Sequence, residues 1–156
     1  MEAHIGIDKK ATKEIVEALN TLLADEHVLY IKTRNYHWNI EGASFLELHE
    51  LLEQMYTQTA TDIDLIAERI RKLGDNPMGS MAEFLEHTRL KETKVPYSDS
   101  TKIIKNLLGD YESIIRWMRD HTELCGKHDD VGTEDFLTGL IKEYEEVAWK
   151  LRSYVS

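Results

Sequence analysis

Residues 44–74 read SFLELHELLEQMYTQTATDIDLIAERIRKLG, and this stretch decides the fold. Apolar side chains at Phe45, Leu48, Leu52, Met55, Ile63, Ile66, Ile70 and Leu73 step by three, four or a multiple of that spacing. That is the period of one helical face, sustained over about eight turns. Ser44 with Glu47 reads as a capping box, in which serine and glutamate satisfy each other's backbone N–H groups. Gly74, directly after the last apolar position, reads as the helix stop.

The flanking sequence repeats this logic. Gly42 marks a tight turn, and upstream of it residues 8–39 predict a helix with Ile15, Ala18, Leu19, Leu22, Leu29 and Tyr36 on one face. Asp25 and Glu26 interrupt that stripe. Downstream, Pro77, Gly79 and Pro96 break the pattern between residues 75 and 100, with room for a short helix over residues 80–85. A third long helix is predicted over residues 100–124, carrying Ile103, Ile104, Leu107, Leu108, Tyr111, Ile114, Ile115 and Met118. A fourth is predicted over residues 133–154, carrying Phe136, Leu137, Leu140, Tyr144, Val147 and Leu151, with Thr133 as its cap. The expected fold is all-α. It is a four-helix bundle whose second and third long helices are joined by one long crossover connection holding a short helix. Residues 1–156 are read as a single domain with a short N-terminal tail, residues 1–7.

Charge and cysteine content narrow the function classes. The formal net charge is −10, which disfavours phosphate backbones and favours cations. Lys9, Lys10 and Lys13 near the N-terminus are offset by Glu2, Asp8 and Glu14, so DNA binding is expected to be weak or absent. Cys125 is the single cysteine and has no partner for an internal disulfide, which suits a reducing compartment. The opening MEAHIGIDKK has no apolar run, and no stretch reaches the length of a membrane span. The expectation is a cytoplasmic protein with no membrane partner.

The residues that carry chemistry are His37, His49, Glu53, Asp64 and Glu68. Imidazole and carboxylate together suit ferrous iron and similar metals. Taken singly, each is more simply a solvated or packed side chain, so the argument rests on spacing. His49 and Glu53 are one turn apart on one helical face, and Asp64 and Glu68 repeat that spacing. The two pairs lie about 22 Å apart along a straight helix, so no single metal touches both within one chain. Two copies of the helix laid antiparallel about a twofold axis between Gln58 and Thr59 bring them together. Position 49 then meets 68, and position 53 meets 64, twice over. Thr57, Thr59, Ala60 and Thr61 near that midpoint are small enough for close approach. His37 and His49 are equidistant from position 43, so a helical hairpin turning there places them face to face. None of the seven histidines has a glutamate three residues before it, so the Glu-x-x-His signature of a di-iron site inside one bundle is absent.

The segment Asn35-Tyr36-His37-Trp38-Asn39-Ile40-Glu41-Gly42, then Phe45, Leu48-His49-Glu50, then Ala67-Glu68-Arg69-Ile70 with Leu73-Gly74, resembles the Dps family of miniferritins. The resemblance extends over nearly the whole chain. It implies a ferritin-like bundle assembled into a hollow dodecamer. It also implies ferroxidase sites shared between twofold-related subunits, where Fe(II) is oxidised, often by hydrogen peroxide. Ferric mineral would be stored inside, protecting the cell against oxidative damage. Carried over by position, the site is His37, His49 and Glu53 from one chain with Asp64 and Glu68 from its partner. Glu53 departs from the family, which usually has aspartate there. Trp38 matches a tryptophan beside the iron site, although packing explains it equally well. Asp130, Glu134 and Asp135 match loosely an acidic pore at threefold axes, although acids also favour helix starts without further role. Twelve chains would carry about −120 in total, which suits a shell that gathers ferrous ions.

Two other readings stand beside this one. The chain could be an acidic helical bundle serving a structural or interaction role, or a shell with zinc as its main resident metal. His27 beside Asp25 and Glu26 could be a minor metal site, with a surface cluster the simpler reading. His121 and His128 are read as exposed, and Cys125 as a buried or half-buried thiol without function.

Overall fold

The computed structural model describes residues 3–156. Five helices follow in order: α1 Lys9–Asn39, α2 Phe45–Lys72, α3 Met81–His87, α4 Ser100–Lys127 and α5 Val131–Val155. The α1–α2 and α4–α5 pairs are hairpins with short turns, and the connection between α2 and α4 carries α3. Among the described residues there is no strand. The all-α bundle with a helix-bearing crossover is therefore what the chain forms.

The predicted stripes supply the core. Leu19, Leu22, Leu29, Leu52, Ile66, Ile70, Ile103, Leu107, Ile114, Leu137 and Leu151 are all fully buried. Each such side chain contributes about 1.5–3 kcal/mol when taken out of water, which outweighs any one cap or ion pair. Gly42 sits at φ 112° in the α1–α2 turn and Gly74 at φ 94° after α2, a left-handed backbone that disfavours any other residue.

Helix ends depart from the sequence expectations at three caps, and α4 runs to Lys127, past the expected end at residue 124. Ser44 makes no side-chain cap bond, so the Ser44–Glu47 capping box does not form. A capping box forms instead at Ser80 and Glu83, starting α3 at Met81 and carrying it to His87. Thr133 does not cap α5; Asp130 does, accepting from the Thr133 backbone N–H at 3.0 Å, so α5 begins at Val131. The Asp130 carboxylate also accepts from Arg69 Nη2 at 2.8 Å, while Arg69 Nε donates to Thr133 Oγ1 at 2.8 Å. Gly132 makes room for this link, because a Cβ there would stand 2.9 Å from Arg69 Nη2. Arg69 thereby locks the end of α2 to the start of α5.

The polar interruptions of α1 are docking points for the crossover. Asn20 Oδ1 accepts from the Met78 N–H at 2.9 Å. Asp25, fully buried, accepts from Thr88 Oγ1 at 2.9 Å, from the Arg89 N–H at 2.7 Å and from the Arg89 guanidinium. Lys32, also buried, donates to the Lys91 carbonyl at 2.9 Å and pairs with Asp110. A connection with its own backbone polar groups over the bundle needs such partners, and α1 provides them. The reading of Asp25, Glu26 and His27 as a surface cluster is thus corrected. Both acids are buried, and His27 stacks on Phe84 of α3 with ring centroids 3.7 Å apart. Nor are His121 and His128 plainly exposed: each is half-buried, with His121 stacked on Trp117 and His128 3.3 Å from Glu14.

Candidate metal centre

The α1–α2 hairpin brings His37 and His49 into contact. Their rings stack at 3.9 Å between centroids, 19° from parallel. His37 Nδ1 lies 2.9 Å from the His49 carbonyl oxygen, and His49 Nδ1 lies 2.9 Å from the His37 carbonyl oxygen. A carbonyl can only accept, so each Nδ1 carries a hydrogen, and in the neutral ring Nε2 is the nitrogen left with a lone pair. Two imidazoles held as Nδ1–H tautomers by backbone carbonyls are the arrangement that orients metal-ligating histidines. Phe45 stacks on His49 at 5.0 Å, and Tyr56 meets His37 edge-on at 5.1 Å. His37 is 7% exposed, so the pair is held by packing as well as by hydrogen bonds.

The acidic residues lie along α2. Glu53 is exposed one turn beyond His49. Asp64 and Glu68 are exposed farther along the same helix, and Glu68 is 3.3 Å from Lys72. Among the described residues no three His, Cys, Asp or Glu side chains of a single chain converge to hold a metal ion. One chain therefore presents a histidine-rich half and, separately, a carboxylate half. Trp38 is 62% exposed beside the histidine pair, its ring beneath the Arg34 guanidinium at 4.7 Å. Of the acids matched to a pore, Asp130 is 2% exposed and engaged by Arg69 and Thr133, while Glu134 lies on the first turn of α5 and Asp135 follows it.

Two clusters escaped the sequence. The first is an aromatic setting around Arg34, formed by Tyr30, Trp38 and Tyr56. Its signal was present: Arg34 precedes His37 by three and Tyr56 follows His49 by seven, so both share the histidines' faces. The second lies inside the bundle, where Tyr144 Oη donates to Glu26 Oε2 at 2.6 Å and stands 3.2 Å from Asp62 Oδ2. Gln58 Nε2 donates to Asp62 Oδ1 at 2.9 Å. Burial pushes the Glu26 carboxyl well above the usual range and the Asp62 carboxyl up to about 6. A cavity of about 260 Å³ between α2 and α5 reaches Asp62, Tyr111 and Tyr144. Glu26 sits apart from the His37–His49 pair and is taken up by Tyr144, so its carboxylate is not available to that pair.

Comparison with known proteins agrees with the all-α bundle. The model of the ferritin-like domain matches residues 16–156. DNA protection during starvation protein 2 of Bacillus anthracis is 37% identical over 92% of this chain and 98% of its own length. A low temperature-induced protein of Nostoc sp. is 43% identical, covering 97% of this chain and 86% of its own. Among solved structures, a Dps protein from Vibrio cholerae O1, described as one of the ferritin-like diiron-carboxylate proteins, superposes with a TM-score of 0.95. It is 34% identical, covering 99% of this chain and 97% of that one. No helix of the described chain is long and apolar enough to cross a membrane.

Proposed function

Since the chain belongs to the Dps family of ferritin-like proteins, we propose that it is a ferroxidase and iron-storage shell whose metal site is completed by a second copy of itself. The observation that carries this reading is the reciprocal His37–His49 clamp, which stacks the two imidazoles and commits both Nδ1 atoms to backbone carbonyls, so that Nε2 is the nitrogen each ring has to offer a metal. His37, His49 and Glu53 of one protomer form one wall of the site. Asp64 and Glu68 of the partner subunit form the other, placed by a twofold axis near Gln58 and Thr59.

Iron enters as substrate. The histidines hold Fe(II), and the carboxylates favour the harder ferric product. Two ferrous ions give up one electron each; hydrogen peroxide takes both, its O–O bond breaks, and its oxygens leave as water or hydroxide. Delivering the two electrons as a pair avoids hydroxyl radical, which supports a role in oxidative protection. Glu53 reaches one methylene farther than aspartate, which supports a change in how tightly the second iron position is held. Twelve subunits around a cavity would store the mineral, and the acidic starts of α5 at Glu134 and Asp135 would line an iron pore, with Asp130 as the buried anchor of that turn. Iron is preferred over zinc here because the Vibrio cholerae structure is described as diiron-carboxylate. DNA is assigned a weak role or none, from the −10 charge and the nearly balanced N-terminus.

The test is anaerobic Fe(II) titration followed by peroxide, on the parent and on His37→Ala/His49→Ala. The parent is expected to oxidise iron at least a hundredfold faster, since its positioned ligands are gone in the variant. Equal rates would reject the site. A monomer of 18.1 kDa in sedimentation would instead favour an acidic bundle with a structural or interaction role.

A further inference from the structure

Among the described residues, Arg34 is a cation without an anion. It sits on α1 one turn before His37 and is half-buried. Its guanidinium carbon lies 4.7 Å from the Trp38 ring, 5.2 Å from Tyr30 and 5.6 Å from Tyr56. Nη1 donates to Tyr30 Oη at 2.9 Å. Nε is buried and makes no hydrogen bond. Among the described residues, Arg69, Arg89, Arg119 and Arg152 each pair with a carboxylate, while Arg34, Arg71 and Arg116 do not, and of these three Arg34 is the one with a buried N–H left without an acceptor. Aromatic faces steady a guanidinium but cannot accept from its in-plane N–H groups. A buried N–H with no acceptor is costly, and natural chains seldom keep one without a reason.

The register supplies the missing anion. The two His37–His49 bonds pair position 37 with position 49, so Arg34 lies level with Leu52 of the antiparallel helix. The twofold axis between positions 58 and 59 sets positions 52 and 53 against positions 65 and 64 of a second copy. Arg34 thus stands at the level where Asp64 of the partner subunit arrives. Asp64 is exposed and has no cation on its own chain among the described residues, while Glu68 has Lys72. Without a metal, that approach would set Glu53 against the partner's Asp64, two like charges. A planar guanidinium beside them removes the conflict and can grip a carboxylate through two N–H groups.

We propose that Arg34 is a positioning residue that binds Asp64 of the partner subunit in the metal-free shell, holding the split site closed until a divalent cation displaces it. The inference rests on the twofold reading above. Arg34 helps the empty interface and opposes the incoming metal, so its removal has effects of opposite sign.

Arg34→Gln, Arg34→Lys, Asp64→Asn and the Arg34→Gln/Asp64→Asn double variant are compared with the parent by sedimentation of metal-free protein. Cobalt(II) titration follows for the parent and the two single Arg34 variants, with circular dichroism to check folding. Arg34→Gln is expected to dissociate about tenfold more readily and to bind cobalt about tenfold more tightly, the effect of removing one nearby positive charge in partly screened surroundings. Arg34→Lys keeps the charge but loses the two-N–H grip, so its assembly should fall between that of the parent and that of Arg34→Gln, while its cobalt affinity stays within about threefold of the parent's. In the Asp64→Asn background, Arg34→Gln should weaken assembly no further. Weakening of both properties together would assign Arg34 to aromatic packing and overturn the proposal, as would no effect or full additivity in the double variant. If Arg34→Gln does not fold, weaker assembly of Asp64→Asn alone carries the same test, and unchanged assembly overturns it. A monomeric parent would remove the twofold reading itself, a result distinct from an assembled parent indifferent to Arg34.

Discussion

Asp25→Ala should release the crossover from the bundle. Asp25 is fully buried, and its carboxylate accepts from the Thr88 hydroxyl, the Arg89 N–H and the Arg89 guanidinium. Removing one partner of a buried pair costs about 3–5 kcal/mol, because the other is left uncompensated. Arg89 has an exit, since its side chain is 29% exposed and lies 5.0 Å over Trp117. The lower end of the range, about 3 kcal/mol, is therefore expected for Asp25→Ala. Asp25→Asn keeps one acceptor and should lose about half of that. Urea unfolding reads the total, and hydrogen exchange at the Arg89 amide reads the local opening, with roughly a hundredfold loss of protection expected in Asp25→Ala. A change under about 1 kcal/mol, with the Arg89 amide as protected as in the parent, would refute the docking role assigned to the polar residues of α1.

Other consequences follow from single groups. The Glu26 carboxyl is raised by burial, so its folded value lies above its unfolded one near 4.5. Stability tied to the protonated form is complete below that pH and is lost as pH rises through the folded value. Glu26→Gln keeps an acceptor for Tyr144 but cannot ionise. Its stability relative to the parent should grow from acid to alkaline pH, and a difference flat with pH would contradict the burial argument. Burial pushes the Cys125 thiol up to about 12. Thiol reagents at pH 8 should label it at least a hundredfold more slowly in the folded than in the unfolded protein, and equal labelling would contradict its burial. Ser80→Ala should cost about 1 kcal/mol in thermal unfolding while Ser44→Ala stays within about 0.3 kcal/mol, because only Ser80 accepts a cap bond. The reverse order would overturn the cap assignment.

The long helices were legible because a burial period repeats many times along each, so single exceptions do not erase it. Helix starts were less so, since a cap is one local contest: Thr133 looked like the cap of α5, but the Asp130 carboxylate reaches the Thr133 N–H and is itself held by Arg69 from α2. The His37–His49 clamp could be read because a hairpin turning at position 43 makes it a symmetric pair. Asp25 and Glu26 could not be read that way. Their partners lie far along the chain, at Arg89 and Tyr144, and no local period announces them. The setting of Arg34 draws its rings from α1 and α2 together, so it becomes visible only when the helices pack.

Subunit mixing tests the central claim, a site split between two chains, most directly. One chain carries His37→Ala/His49→Ala and the other Asp64→Ala/Glu68→Ala; each alone should be inactive in Fe(II) oxidation. Unfolded together and reassembled in equal amounts, mixed dimers restore one site in two, so random pairing should return about one quarter of the parent rate. A site contained within one chain predicts no recovery on mixing, and that result would contradict the account.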